Sequence, residues 1–360
     1  MKTLCPILVL ASVLMLTGNV AAQVSLAPQA AQSPPAASKP ASKPKAKPPT
    51  TAKKPATPVA TPAPETPPAP AATVTPAPAA DDPNVDLVFG AYQRGLYKTS
   101  FDLATKRAEE NGDPKAMTML GELYANGFGL KRDDAKAAAW YRRAADGGDR
   151  EGMFELAMLR LAGRGGPVDR EEAVKLLASS AKLGNPKAAY NLALLYLDGQ
   201  TLPQDLRRSA ELLRIAADAG SPEAQYALAT FYKEGTGVPK DIDKAVRLLQ
   251  AASLADHVDA EVEYAIALYN GTGTPKNEPA AVALLRKAAR QNNPIAQNRL
   301  ARVLTSGQGA PVDRVEALKW HLIAKTAGKG DPALDEALAS MSPEDRARAE
   351  AAVRRWLGAK

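Results

Sequence analysis

Cysteine is nearly missing from this chain: among 360 residues only Cys5 carries a thiol, and it lies in the first apolar stretch. No small-residue lipobox precedes it, so a lipid anchor on that thiol is not expected. A chain without the first stretch has no cysteine at all. It can inhabit an oxidising compartment, yet it uses no disulfide there. Histidine is nearly as scarce, with His257 and His321 alone. Two distant imidazoles and no thiol argue against a zinc site, and no cofactor is expected. There is no G-x-S-x-G elbow and no P-loop. Ser42-Lys43-Pro44-Lys45 matches S-x-x-K in letters only, since it sits in a low-complexity segment without a pocket. No catalytic constellation is found, and an enzyme is not the expected class.

A membrane-length apolar run is also lacking. The longest extends from Leu4 to Leu16, against the roughly 20 residues needed to span a bilayer. Lys2 precedes it and the small residues Val20-Ala21-Ala22 follow, so residues 1–22 read as a secretory signal peptide. The expected mature chain starts near Gln23 and is exported, to the periplasm in a cell with two membranes.

Acid is what residues 28–80 lack: Glu65 stands against Lys39, Lys43, Lys45, Lys47, Lys53 and Lys54 in a background of Pro, Ala, Thr and Ser. Nothing there can bury apolar area, so residues 23–82 are expected to form a disordered linker with polyproline II bias. This segment and Lys2 carry all but one unit of the formal net charge of +7. The remainder of the chain is close to neutral, and nucleic acid is not an expected partner. The lysines have two readings: plain solubility, or weak contact with an anionic cell wall or lipid surface.

What the rest of the chain does have is a period of 36 residues. Gly127, Gly163, Gly199, Gly235, Gly271 and Gly307 form one column; Ala116, Gly152, Ala188, Ala224, Ala260 and Ala296 form another. Gly121, Ala157, Ala193, Ala229, Ala265 and Ala301 form a third, and Asp133, Asp169, Asp205, Asp241, Asn277 and Asp313 a fourth. Repeats of this kind bury their faces by stacking on one another. Leu120 and Tyr124, four residues apart, predict one helical face. The glycine just past that run predicts a left-handed helix end. The Asp/Asn column predicts the N-cap of a second helix, with full capping boxes at Asp169–Glu172 and Asp313–Glu316. The second helix reads small-x-x-large-large-x-x-small-small, as from Ala245 to Ser253. The expected class from about residue 83 to 360 is therefore all-α, a solenoid of stacked antiparallel helix pairs. Residues 85–110 read as a degenerate first hairpin, and Ser342-Pro343-Glu344-Asp345 starts a charged terminal helix that ends near Trp356.

The run Asn185-Pro186-x-Ala188-x-x-x-Leu192-Ala193-x-x-Tyr196-x-x-Gly199, followed by Asp205 and Ala216-Ala217-x-x-Gly220, resembles the Sel-1-like repeat, a variant of the tetratricopeptide hairpin. Gly220-Ser221-Pro222 through Gly235-Thr236-Gly237-Val238-Pro239-Lys240-Asp241 is the clearest copy, and the resemblance covers about 111–330. Arg160 departs from the usual tyrosine and Thr201 from the second loop glycine. The resemblance implies a right-handed α-solenoid acting as a scaffold or adaptor for another protein or peptide, here in the cell envelope. Two other roles follow from relatives: a part in envelope polysaccharide or cell-wall assembly and, less favoured, hydrolysis of cell-wall fragments. The latter is claimed for a cysteine-rich branch that this chain does not match.

By the tetratricopeptide analogy, the first helices line a groove at Thr118, Phe154, Tyr190, Tyr226, Val262 and Asn298. One turn on come Glu122, Met158, Leu194, Thr230, Ile266 and Arg302. Phe154, Met158, Tyr190, Leu194, Tyr226 and Ile266 are the candidate partner-binding residues. Two readings remain for the aromatics: packing between helices, or a partly exposed strip for a peptide. His321 falls in the column of Tyr141, Leu177, Leu213, Leu249 and Leu285 and is expected to pack within a helix; His257 is expected to be structural, in a turn.

Overall fold

The computed structural model describes residues 86–358. The expected signal peptide (1–22) and linker (23–82) lie outside the described residues.

Six helix pairs of matching length repeat along the chain. They are α3 (Pro114–Asn126) with α4 (Asp134–Asp146), α5 (Arg150–Ala162) with α6 (Arg170–Lys182), and α7 (Pro186–Asp198) with α8 (Leu206–Asp218). Then come α9 (Pro222–Glu234) with α10 (Ile242–Leu254), α11 (Val258–Asn270) with α12 (Glu278–Arg290), and α13 (Pro294–Ser306) with α14 (Arg314–Thr326). A shorter pair, α1 (Leu87–Gln93) and α2 (Tyr97–Glu110), precedes them, and α15 (Pro332–Ala339) and α16 (Pro343–Gly358) follow. No strand occurs among the described residues. The all-α solenoid expected from the period is thus the observed fold, with each pair packed on the next.

Helix ends explain why the period holds. Each first helix of the six pairs stops at a glycine in the left-handed region, from Gly127 at φ 70° to Gly307 at φ 77°. Each second helix starts at the expected Asp/Asn column, where the side chain accepts from the backbone N–H three residues on. The full capping boxes do not form. Glu172 turns instead to Arg142 and Arg160, and Glu316 to Arg286 and Trp320. The reason is that the cap N–H already has a partner: Asp169 donates to the Arg160 carbonyl and Asp313 to that of Leu304, both at 3.0 Å. The freed glutamates tie α6 to α4 and α14 to α12.

The second helices pack through very small side chains. Ala137, Ala173, Ser209, Ala245, Ala281 and Ala317 have at most 1% exposure. Ser209 keeps its place by donating its hydroxyl to the Ala193 carbonyl at 2.9 Å. Gly121 faces the Tyr141 ring so closely that a Cβ would lie 2.5 Å from it. Leu120, Leu156, Leu192, Leu228 and Leu300 fill the space between layers, all nearly solvent-free.

The second loop glycine couples neighbouring repeats. Gly237, at φ 66°, lies against the start of α8, where a Cβ would sit 2.2 Å from the Leu206 carbonyl oxygen. Gly165 makes the same approach to Asp134. Thr201 interrupts this column and is not in the left-handed region, so its loop takes another path.

Candidate functional site

The second helix of each pair packs on the first helix of the next, which sets successive first helices side by side. Substantial direct packing between them is confined to α1–α3, α3–α5 and α13–α15. One face of the first helices is therefore only partly covered, and the candidate residues lie along it.

They do not share one environment. Phe154 is 8% exposed and packs in the core with Leu177, Ala188 and Leu192, while Lys187 Nζ stands 5.6 Å from its ring centroid. Phe154 is thus a core residue, not part of an open strip. Its neighbour in the next repeat, Leu192, and its own helix close around it. Val262, at the same position in α11, is buried for the same reason. Tyr190, Leu194, Tyr226, Met158 and Ile266 are half-buried. Tyr226 lies parallel to His257, with ring centroids 4.7 Å apart. Burial, followed by the carboxylates of Glu263, Asp259 and Glu234, pushes its phenol up to about 12. Tyr190 is shifted in the same direction, again chiefly by burial.

His257 proves to be a helix cap: its Nδ1 accepts from the Ala260 N–H at 3.3 Å, at the start of α11. It occupies the column of Asp113, Asp149, Asn185, Ser221 and Asn293, which cap the other first helices. The signal was present in the Asp/Asn/Ser-Pro pairs that open four of these helices. His321 is fully buried, and its Nε2 lies 2.8 Å from Asp335 Oδ1 on α15.

Charged groups gather at the two ends of this face. On α3, Glu122 accepts from Tyr141 Oη at 3.1 Å, Tyr92 Oη at 3.4 Å and Asn126 Nδ2 at 2.8 Å. On α5, burial and the carboxylates of Glu122 and Glu151 push Glu155 up to about 7. In the middle, Lys233 pairs with Glu263 at 3.2 Å. On α13, Arg302 pairs with Asp331, while burial and the charge of Arg302 lower Arg299. Glu155, Glu263 and Arg299 share one column, which the sequence analysis passed over because it lies one residue beyond the aromatic one. Among the described residues, no group of three or more His, Cys, Asp or Glu side chains is placed to hold a metal. No described helix is long and apolar enough to cross a membrane.

Comparison with known proteins agrees with this geometry. Six consecutive copies of the Sel1 repeat match residues 114–149, 150–185, 186–221, 222–257, 258–293 and 294–329, each opening on a first helix. Among solved structures, the chain is similar to a Sel1 repeat protein from Oxalobacter formigenes, with 26% identity and a TM-score of 0.59. That match covers 67% of this chain and 98% of the other. It is also similar to a protective antigen with an SLR fold, present in uropathogenic Escherichia coli strains. There the identity is 25% and the TM-score 0.52, over 75% of this chain and 67% of that one. No match was found among curated proteins.

Proposed function

The chain belongs to the Sel1 repeat family, and from that premise we propose that it is an exported, non-catalytic scaffold that holds another protein on its first-helix face. The family's repeats serve protein–protein interaction, and the solenoid is the part of this chain that presents such a surface. The observation that carries the reading is the partly covered strip of Tyr190, Leu194, Tyr226 and Ile266, contributed by three successive first helices, α7, α9 and α11. Half-buried tyrosines held by their own helices lose little entropy on binding and offer exposed ring surface and hydroxyls. Export rests on the apolar, lysine-preceded N-terminus and the lack of cysteine after it.

In-cell crosslinking from a photoreactive residue at position 194, with one at exposed position 211 on α8 as the control, tests the scaffold role. A discrete adduct from 194 and none from 211 is expected; the same adducts from both, or none, would refute the assignment of the face. N-terminal sequencing of the exported fraction tests the other half, with a start near Gln23 expected and an intact Met1 form confined to the cytoplasm as the refuting result.

A further inference from the structure

The first-helix face carries opposite surplus charges at its two ends. We propose that it accepts an extended, charge-polarised segment of a partner protein, with a lysine or arginine against Glu122 and Glu155 and a carboxylate against Arg299. The proposal rests on the scaffold reading and adds the chemistry of the partner.

At the N-terminal end, Glu122 and Glu155 have no cation within ion-pair distance among the described residues. The cations whose field reaches Glu155 are Lys187 and Arg164, and these are already held by Glu151 at 2.7 Å and Asp134 at 2.8 Å. The hydroxyls of Tyr92 and Tyr141 donate to Glu122 and orient its carboxylate without neutralising it. At the C-terminal end the arrangement is mirrored. Half-buried Arg299 meets no carboxylate within ion-pair distance among the described residues. The acids whose field reaches it, Glu263 and Asp331, are held by Lys233 and Arg302. Each end thus keeps charge that the fold does not compensate: the Glu122 carboxylate, joined by that of Glu155 above about pH 7, at one end and the Arg299 guanidinium at the other. An unpaired, partly desolvated charge is where an incoming counter-charge gains most.

Glu155 and Arg299 occupy the same position of the second and sixth repeats. Taking a step of about 10 Å from each first helix to the next, four repeats give a path of ~40 Å along the face. An extended segment of ~12 residues covers that span at about 3.3 Å per residue. Its middle would lie over Tyr190, Leu194, Tyr226 and Ile266. Along the rim, Glu223 accepts from the Ser221 hydroxyl and Asp259 from the Asn293 amide, which orient these carboxylates without neutralising them, so the middle of the segment carries no acid. A uniformly basic segment meets Arg299 and Arg302 at one end, and a uniformly acidic one meets the glutamates at the other.

Fluorescence anisotropy with the full chain tests this, using labelled 14-residue Ser/Leu peptides. One set carries a lysine pair at one end and an aspartate pair at the other, made in both orders; the others carry lysine at both ends or aspartate at both ends. One order of the polarised peptide should bind about tenfold tighter than either uniform peptide. Arg299→Glu should remove that advantage and shift preference to the lysine peptide. Glu155→Lys should shift it to the aspartate peptide, with circular dichroism confirming that both variants stay folded. Equal binding of polarised and lysine peptides, unchanged preference in Arg299→Glu, or no binding of any peptide would each overturn the proposal. The scaffold reading would survive those results if the adduct at position 194 still formed, so the two ideas fail separately.

Discussion

Two sets of positions in this molecule obey the same period and opposite rules. On the second helices, one column reads Ala137, Ala173, Ser209, Ala245, Ala281 and Ala317, and every member is sealed from solvent. On the first helices, another reads Thr118, Phe154, Tyr190, Tyr226, Val262 and Asn298, and its members range from buried to half-buried. The inner column lies where two helices approach closely, so side-chain volume is constrained in each repeat. The outer column is enclosed at Phe154 and Val262 but borders open space at its other members, where volume is less constrained and chemistry can differ from one repeat to the next. Repetition marks the positions that hold the fold; divergence within the same frame marks those free to specify a partner.

The sharpest way to break this distinction is to cut both kinds of position. Leu192→Ala or Leu228→Ala should destabilise the fold by roughly 2–5 kcal/mol each, read from the midpoint of urea unfolding. Tyr190→Ala with Tyr226→Ala should weaken partner binding by ~2 kcal/mol or more per anchor while costing the fold less than the leucines do. If the tyrosine pair unfolds the protein as badly as the leucine pair, both tyrosines are core and the distinction collapses there.

A smaller effect is expected at the loops. Gly237→Ala forces a Cβ toward the Leu206 carbonyl in a left-handed backbone, at a cost of about 1–3 kcal/mol in thermal or chemical unfolding. Thr201→Gly, at the loop where this column has no glycine and no left-handed backbone, should change stability by less than about 1 kcal/mol. Equal effects at the two loops would mean that the glycine column does not couple the repeats.

An effect of similar small size, confined to one side of neutral pH, concerns Glu155. Its folded carboxyl titrates at about 7, above the ordinary range, so between pH 4.5 and 7 it keeps a proton that the unfolded chain has released. The group therefore stabilises the fold more at acid pH, and that contribution falls as pH rises through this window. Glu155→Gln should leave stability near pH 4 unchanged and raise it by about 1 kcal/mol at pH 8, since solvent at the face screens much of the shift. A gain that is the same at both pH values would show that the repulsion from Glu122 and Glu151 is not felt.

The architecture was legible because it depends on short-range rules repeated six times. An αL glycine, an Asp N-cap and an alanine seam each act within one or two turns of the chain, and together they dictate hairpins that must stack. The candidate site was legible as a set of columns but not as a surface. Phe154 and Tyr190 stand at equivalent positions, yet one is buried and the other half-buried. The capping glutamates misled for a related reason, because the N–H they were expected to serve is taken by a carbonyl of the preceding helix.

The period, the residue types at helix ends and the small residues at the seams were sufficient to specify an all-α stack of paired helices, since local backbone preferences and side-chain volume act along the chain. Exposure and charge balance on the first-helix face arise from groups about 30 to 36 residues apart. Lys187 reaches back to Glu151, Arg164 to Asp134, and Lys233 forward to Glu263. Burial and Coulomb energies depend on distance in space, and that distance exists only once the repeats have stacked.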